Sequence, residues 1–244
     1  MDFRGGVTGQ PNRLLRALPP AQWDRLAGDL RRVSLASRTV LFEPGQHIEV
    51  VDFPCTCVVS LVTPLHDGRT AEVASVGNEG IVGVPVVIGG SFAVRGVCSV
   101  GGWSDRMEAT TFIREFENDV HLQAVVDDYL RAVFSQLAQA VACNRLHATE
   151  ERLARWLLAT GDHIGADAFS ITYALLAQLL GSKPATVSRS AQHLQTAGLI
   201  SYQRGRITIV DRRGLEAVAC ECYRVIRSEL DGVVQRTAVR FSGA

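Results

Sequence analysis

Long apolar runs are missing from this chain. None of its 244 residues lies in a stretch approaching the roughly 18 consecutive apolar residues of a membrane span. Met1 to Gln10 also lacks the apolar core of a secretion signal, so a cytoplasmic location without a membrane partner is expected. Net charge is missing too, because 25 basic and 25 acidic residues cancel. Disulfide scaffolding is excluded by cysteine number and spacing: Cys55, Cys57, Cys98, Cys143, Cys220 and Cys222 are too few and too scattered, and are expected as reduced thiols. There is no His-x-His pair to accompany His47, His66 and Glu43, which argues against a metal enzyme on a cupin-like roll. No catalytic residue is assigned.

What is present is organised around Thr172 to Ile200. Leu176, Leu179 and Leu180 fall on one face at helical period, Gly181 supplies a turn, and Val187, Ala191 and Leu194 form a second apolar face. Pro184 sits in the first turn of the second helix, where its missing amide hydrogen is harmless. The pattern predicts a helix-turn-helix whose second helix turns out Ala185, Arg189 and Gln192, with Ser188 and His193 at the flanks. Two short β-type runs, Leu199 to Tyr202 and Ile207 to Val210, then enclose Gln203-Arg204-Gly205-Arg206. From Ser182 to Arg213 six basic residues (Lys183, Arg189, Arg204, Arg206, Arg212, Arg213) face one acid, Asp211, giving 6 − 1 = +5. A reading helix followed by a cationic hairpin is a winged helix, and double-stranded DNA is the expected partner. Arg189, Ser188 and Gln192 are placed toward bases, and Ser182, Lys183, Thr186, Arg204 and Arg206 toward phosphates.

Earlier in the chain the character differs. Leu14 to Leu18 and Ala21 to Leu30 read as a helical cap. Arg32 to Gly102 holds β-branched runs separated by turns, including Gly89-Gly90, and predicts an antiparallel barrel or sandwich. No glycine occurs from Trp103 to Thr160, a stretch read as helix: Ala109 to Glu117, about Asp119 to Asn144, and His147 to Thr160. Val126, Leu130, Val133, Leu137, Ala140 and Asn144 repeat at spacings 4, 3, 4, 3, 4, the seam of a two-stranded coiled coil, so a homodimer on a palindromic operator is expected. A helix buried within one domain is the alternative. Arg213 to Arg236 reads as terminal helix of no legible role.

In this order the elements resemble the cyclic-AMP receptor and fumarate-nitrate regulator (Crp/Fnr) family of bacterial transcription factors. The resemblance rests on Phe42-Glu43-Pro44-Gly45, Val51-Asp52-Phe53-Pro54, Val76 to Gly83 and, most specifically, Ile171 to Ile200. It implies an α+β chain: a cyclic-nucleotide-binding-like β-roll with helical cap (1–118), a dimerisation helix (119–146), a winged helix-turn-helix (147–214) and a helical extension (215–244). It also implies RNA polymerase as a further partner. Members that bind cyclic AMP hold the phosphate with a Gly-Glu pair and a later Arg-Ser or Arg-Thr pair. Here Gly83 precedes Val84 and Pro85, the later pair falls near Ala93-Val94, and the adenine partners fall at Leu137-Ala138; Arg95 nearby reads as a solvated strand arginine, with a displaced phosphate partner as the alternative. Independence from cyclic AMP is therefore expected, and the alternative is a ligand-sensing or interaction module of the same fold without DNA binding. The iron-sulfur branch requires an N-terminal cysteine cluster, and no cysteine precedes Cys55. In Cys55-x-Cys57 and Cys220-x-Cys222 one intervening residue is tighter than usual ligand spacing, and neither pair alone sets up four ligands, so no metal or cofactor is expected.

Overall fold

Strand β4 (Val58–Pro64) is apolar without alternation because both of its faces are covered. In the computed structural model, which describes residues 12–89 and 92–241, Val59 and Leu61 point into the interior of a β-roll. Val58 and Val62 point the opposite way, into a core shared with the C-terminal helices. Met1 to Gln10 and Gly90 lie outside the described residues.

The roll has two antiparallel sheets. One runs β1 (Arg31–Leu35), β7 (Gly102–Glu108), β3 (Val50–Pro54); the other runs β2 (Val40–Phe42), β6 (Arg95–Val100), β4, β5 (Thr70–Val76). Helices α1 (Arg13–Arg16) and α2 (Pro20–Ala27) cap it. The first helix begins at Ala109 as expected, but strand β7 corrects the reading of the glycine-free stretch from Trp103 as helical throughout. Ser104 and Asp105, on opposite faces of the strand, are both buried while Trp103 is exposed, and the lack of glycine there marked a long strand as well as helices.

After α3 (Ala109–Asn118), the 27-residue α4 (Val120–Leu146) runs along the roll, started by Asp119, whose side chain accepts from the amides of His121 and Leu122. Helix α5 (Thr149–Ile164) leads into strand β8 (Ala168–Ser170), helices α6 (Tyr173–Leu179) and α7 (Pro184–Thr196), and the hairpin β9 (Ile200–Gln203) and β10 (Arg206–Ile209). The chain then forms α8 (Arg212–Val218) against α5, breaks, and returns as α9 (Cys222–Phe241) along α4. Ile226, Leu230 and Val233 of α9 join Leu14, Leu15, Val125, Tyr129 and Ala132 in one core. The terminal stretch thus has a packing role that its sequence did not declare. No described helix is long and apolar enough to cross a membrane.

The loop Gly77-Asn78-Glu79-Gly80 locks the roll to α5. Glu79 and His163 are both buried, with Nδ1 and Oε2 2.9 Å apart, and Ser75 Oγ lies 3.1 Å from the other ring nitrogen. The Asn78 amide donates to the His163 carbonyl at 3.0 Å. A Cβ on Gly77 would lie 2.7 Å from His163 Cα, so only glycine permits this approach. Burial opposes charge on both partners, but their mutual attraction outweighs it, holding Glu79 below its ordinary value of 4.5 and His163 above its ordinary 6.5. The lowered carboxylate contributes stability above pH 4.5 that is lost as pH falls through its folded value. The raised imidazole contributes below pH 6.5 and loses its contribution as pH rises through its folded value. Urea midpoints should therefore peak between these two pH values and decline on either side. His163→Gln should cost about 3–5 kcal/mol, the usual result of orphaning a buried charge, and abolish the alkaline decline. An unchanged alkaline slope in the variant would show that the pair is not ionised.

Candidate nucleic-acid interface

Helix α6 opens on Thr172, whose Oγ accepts from the Leu175 amide, and stops in a left-handed residue, Gly181 at φ +57°. The Ser182 amide returns to the Ala177 carbonyl at 2.9 Å, so the turn satisfies the carbonyls that the helix end leaves free. From behind, Arg152 of α5 donates to the Leu180 carbonyl. The two recognition elements are thus fixed to a rigid support. Leu176, Leu179 and Leu180 meet Val187, Ala191 and Leu194, all buried.

The opposite face of α7 is open. Lys183, Ala185, Thr186, Ser188, Arg189, Gln192 and His193 are exposed, whereas Ser182 is half-buried with its hydroxyl donating to the Leu180 carbonyl at 3.3 Å. His193 is engaged by Glu150 at 3.0 Å. In the hairpin, Arg204 (φ +49°) and Gly205 (φ +81°) make the two-residue turn, and Arg204 and Arg206 project from it. Short β8 completes a sheet ordered β8, β10, β9. One face of it buries Phe169, Ile200, Ile207 and Ile209, and around the other Ser170, Ser201, Gln203, Arg206 and Thr208 line an open hollow. Ser170 was not anticipated, because the three-residue β8 has too little periodicity to register, and Thr208 of β10 was read as strand but not as lining.

Two parts of the expected arrangement need correction. Arg212 does not contribute to the cationic surface: it pairs with Asp162, with Asp167 at 2.9 Å and with Glu216 at 3.6 Å, tying α8 to α5. The expected dimer seam is also partly inside the chain. Val126 is 0% exposed, Leu130 and Val133 pack on the core of the roll cap, and Leu137 packs on the roll interior. Ala140 is half-buried, and Asn144 accepts from Arg152 at 2.8 Å. The exposed stripe of α4 lies one residue on, about 100° round the helix: Asp127, Arg131, Phe134, Ala138, Val141 and Arg145. Phe134 is 74% and Val141 73% exposed. The helix is apolar on several sides, so a heptad count alone could not say which side the roll would take.

Inside the roll, Phe42, Ile48, Val59, Leu61, Ala74, Val76 and Val82 form a cluster, with Val86, Phe92, Val94 and Leu137 packed on it. A Cβ on Gly96 would lie 2.5 Å from the Phe42 ring, so this glycine makes room for the aromatic. Gly83 is left-handed at φ +92° and begins the short 3-10 turn Val84–Val87, in which Val84 is buried. Arg95 pairs with Glu43 at 2.8 Å.

The cysteines fall into two groups. Cys55, Cys57 and Cys98 are buried in the roll, where desolvation pushes all three thiols up, Cys55 and Cys98 to about 12. Cys143, Cys220 and Cys222 instead meet one another beside His147. There Cys143 is drawn below the ordinary thiol range by a hydrogen bond from Cys220, helped by the charge of Arg155. Cys220-x-Cys222, which by itself sets up no ligand set, is thus joined by Cys143 and His147. The missing donors lie more than seventy residues upstream, at the end of α4.

Comparisons with known proteins agree with this geometry. Residues 151–218 match the Crp-like helix-turn-helix domain. FixK2 from Bradyrhizobium japonicum superposes with a TM-score of 0.67 at 17% identity, over 78% of this chain and 98% of that one. A CRP-family transcriptional regulator from Thermus thermophilus gives 0.62 at 18%, over 78% and 96%. The cyclic-di-GMP-responsive global regulator CLP of Xanthomonas campestris gives 0.56 at 16%, over 78% and 99%. No curated protein sequence matches significantly. Residues 151–218 are thus a Crp-like helix-turn-helix domain, carried on a chain that has the Crp/Fnr regulator fold.

Proposed function

We propose that this protein is a sequence-specific DNA-binding transcription regulator that acts as a homodimer and does not depend on cyclic AMP. The observation that carries the reading is the exposed face of α7, from Lys183 through Arg189 to Gln192, presented together with the cationic hairpin tip on a chain of zero net charge. An interaction module without DNA binding would have no use for this concentration of positive charge. In this reading residues 1–118 form the regulatory roll, 119–146 the dimer helix and 147–214 the reading domain.

Arg189 is the long donor on α7 able to bridge both acceptors of a guanine. Arg189→Ala should cost about 1–3 kcal/mol and relax preference at one base position per half-site in selections from random duplexes. Arg204→Ala and Arg206→Ala should weaken all sequences alike in gel shifts and each lower the salt slope by about one. An unchanged selected motif for Arg189→Ala, with an altered one for the hairpin variants, would reverse the assignment.

The open stripe on α4 supports two-fold symmetry, since a second copy would cover Phe134, Ala138 and Val141 and bring two reading helices onto successive half-sites. Phe134→Asp with Val141→Asp places like charges at that contact and should cost several kcal/mol of association. Sedimentation should then show monomer at micromolar concentration where the parent is dimeric; a dimeric double variant would place the interface elsewhere.

Among the described residues at the family's phosphate position, none offers cyclic AMP a free counter-charge, and Arg106 elsewhere in the roll is paired with Asp52. Val84 and Pro85 offer none, Arg95 is paired with Glu43, and the interior is filled by Phe42 and its neighbours. A desolvated phosphate diester without a partner costs several kcal/mol. The superposing regulator CLP responds to a different nucleotide, so this fold does not itself dictate the effector. Calorimetry with cyclic AMP should show no binding, and gel shifts should be identical with and without it. Micromolar binding that strengthens operator affinity would overturn this part of the reading.

A further inference from the structure

The chain passes between the winged domain and the rest of the molecule twice, and both passages occur at one place. It enters at His147-Ala148, between α4 and α5, and leaves at Ala219 to Glu221, between α8 and α9. Cys143 and His147 lie four residues apart and face the same way at the end of α4. Cys220 and Cys222 flank the start of α9.

Their ligand atoms converge. One sulfur or ring nitrogen from each of the four residues lies within 4.8 Å of all the others. Cys143 Sγ is 3.6 Å from Cys220 Sγ, and Cys222 Sγ is 3.5 Å from His147 Nδ1. A tetrahedral zinc ion with bonds of roughly 2.3 Å to sulfur and 2.0–2.1 Å to nitrogen spans sulfur–sulfur edges of about 3.8 Å and sulfur–nitrogen edges of about 3.6 Å. The observed spacings therefore suit a single ion.

The surroundings also suit a metal. His147 Nε2 lies 3.3 Å from the carboxylate of Glu221, so the nitrogen facing the sulfurs is the free ligand while the other is held by a carboxylate. Gln139 Nε2 donates to Cys222 Sγ at 3.1 Å, a hydrogen bond that orients this sulfur from behind. Three thiolates and one divalent ion sum to −1, and Arg152 and Arg155 supply positive charge beside the cysteines. The ligands come from two places distant in sequence, and the set is assembled only when α9 docks on α4.

We propose that Cys143, His147, Cys220 and Cys222 bind one tetrahedral zinc ion, which fastens together the two chain crossings into the winged domain. Three soft thiolates with an imidazole select zinc over magnesium, calcium or manganese. Four protein ligands leave no open position, so the ion is structural and not a hydrolytic centre. Its binding displaces the thiol protons and is therefore favoured as pH rises. Loss of the ion would release the crossings from their shared anchor.

Cobalt(II) titration of the full-length, reduced protein tests this directly, because tetrahedral cobalt with thiolate ligands absorbs intensely in the visible. One equivalent per chain should give these bands, and zinc should displace them. Cys143→Ser with Cys222→Ser should abolish them, whereas Cys55→Ser with Cys57→Ser should leave them unchanged. Glu221→Gln, an exposed and conservative change, should keep the bands but weaken cobalt binding roughly tenfold, as loss of a carboxylate behind a ligating histidine does. That variant keeps the test valid if the double serine variant fails to fold, which circular dichroism would reveal. Absence of bands in the reduced parent overturns the proposal, as would undiminished cobalt binding by both a folded double variant and Glu221→Gln. Metal analysis of protein purified without chelator should find zinc at one per chain.

Discussion

Everything in this molecule depends on the sheet containing β4 having no free face. One side closes the roll around Phe42 and Val82; the other supplies Val58, Val62 and Val100 to the core that also holds Trp156, Leu176 and Val187. Apolar area is buried on both sides of a single layer, so the roll and the winged domain share a wall. The polar groups on that wall are matched: Ser60 donates to Glu72, and Trp156 Nε1 donates to the same carboxylate at 3.1 Å. The Glu72 carboxylate is half-buried, and burial pushes its carboxyl above the ordinary value even though the Ser60 and Trp156 donors pull it back. The helix-turn-helix and its hairpin therefore rest on the roll itself and not solely on their covalent connections.

This shared wall shapes what a signal in the roll could do. The loop from Gly77 to Gly80 grips α5 through Glu79 and His163, while Gly181, in the turn between α6 and α7, lies against Ala71 of β5. Both contacts come from the β5 segment, one at each end of it. A change in the roll that shifted β5 would be felt at the scaffold helix and at the recognition turn together. These contacts are continuous; coupling through them would further require an element with two arrangements that both ends bias.

Local features were the legible ones. The helix-turn-helix could be read because its two apolar faces, Gly181 and Pro184 all lie within one short stretch, and the hairpin because Arg204-Gly205 separates two β-type runs. The shift between glycine-punctuated and glycine-free sequence separated a barrel or sandwich from helices, and the resemblance supplied the roll. The failures involve partners distant in sequence. The heptad in α4 was real as a pattern, but roll and α9 occupy much of the helix, and the residues left outside, Phe134 and Val141, are displaced by one position from the expected seam. Arg212 counted as free charge until α8 brought it to Asp162 and Asp167. The cysteine constellation was invisible for the same reason: Cys143 and Cys220 are 77 residues apart, and no spacing rule connects a helix end to a later helix start. Strand β7 was lost to a cruder cause, the equation of missing glycine with helix.

The core beneath the helical cap draws Leu14 and Leu15 from the beginning of the described chain and Ile226, Leu230 and Val233 from its far end, with Arg13 and Asp231 bridged at 2.7 Å. Completing it closes a loop of about two hundred residues, an entropic cost that grows only slowly with length but must be met before the contacts reward it. On a ribosome, the roll can form its sheets and the winged domain its helices while this cavity still waits, lined with Val125, Tyr129 and Ala132. Until α9 has emerged and turned back, α4 shows water an apolar flank that the finished protein hides. The nascent chain thus carries a temporary adhesive surface whose lifetime is set by the time taken to translate the winged domain.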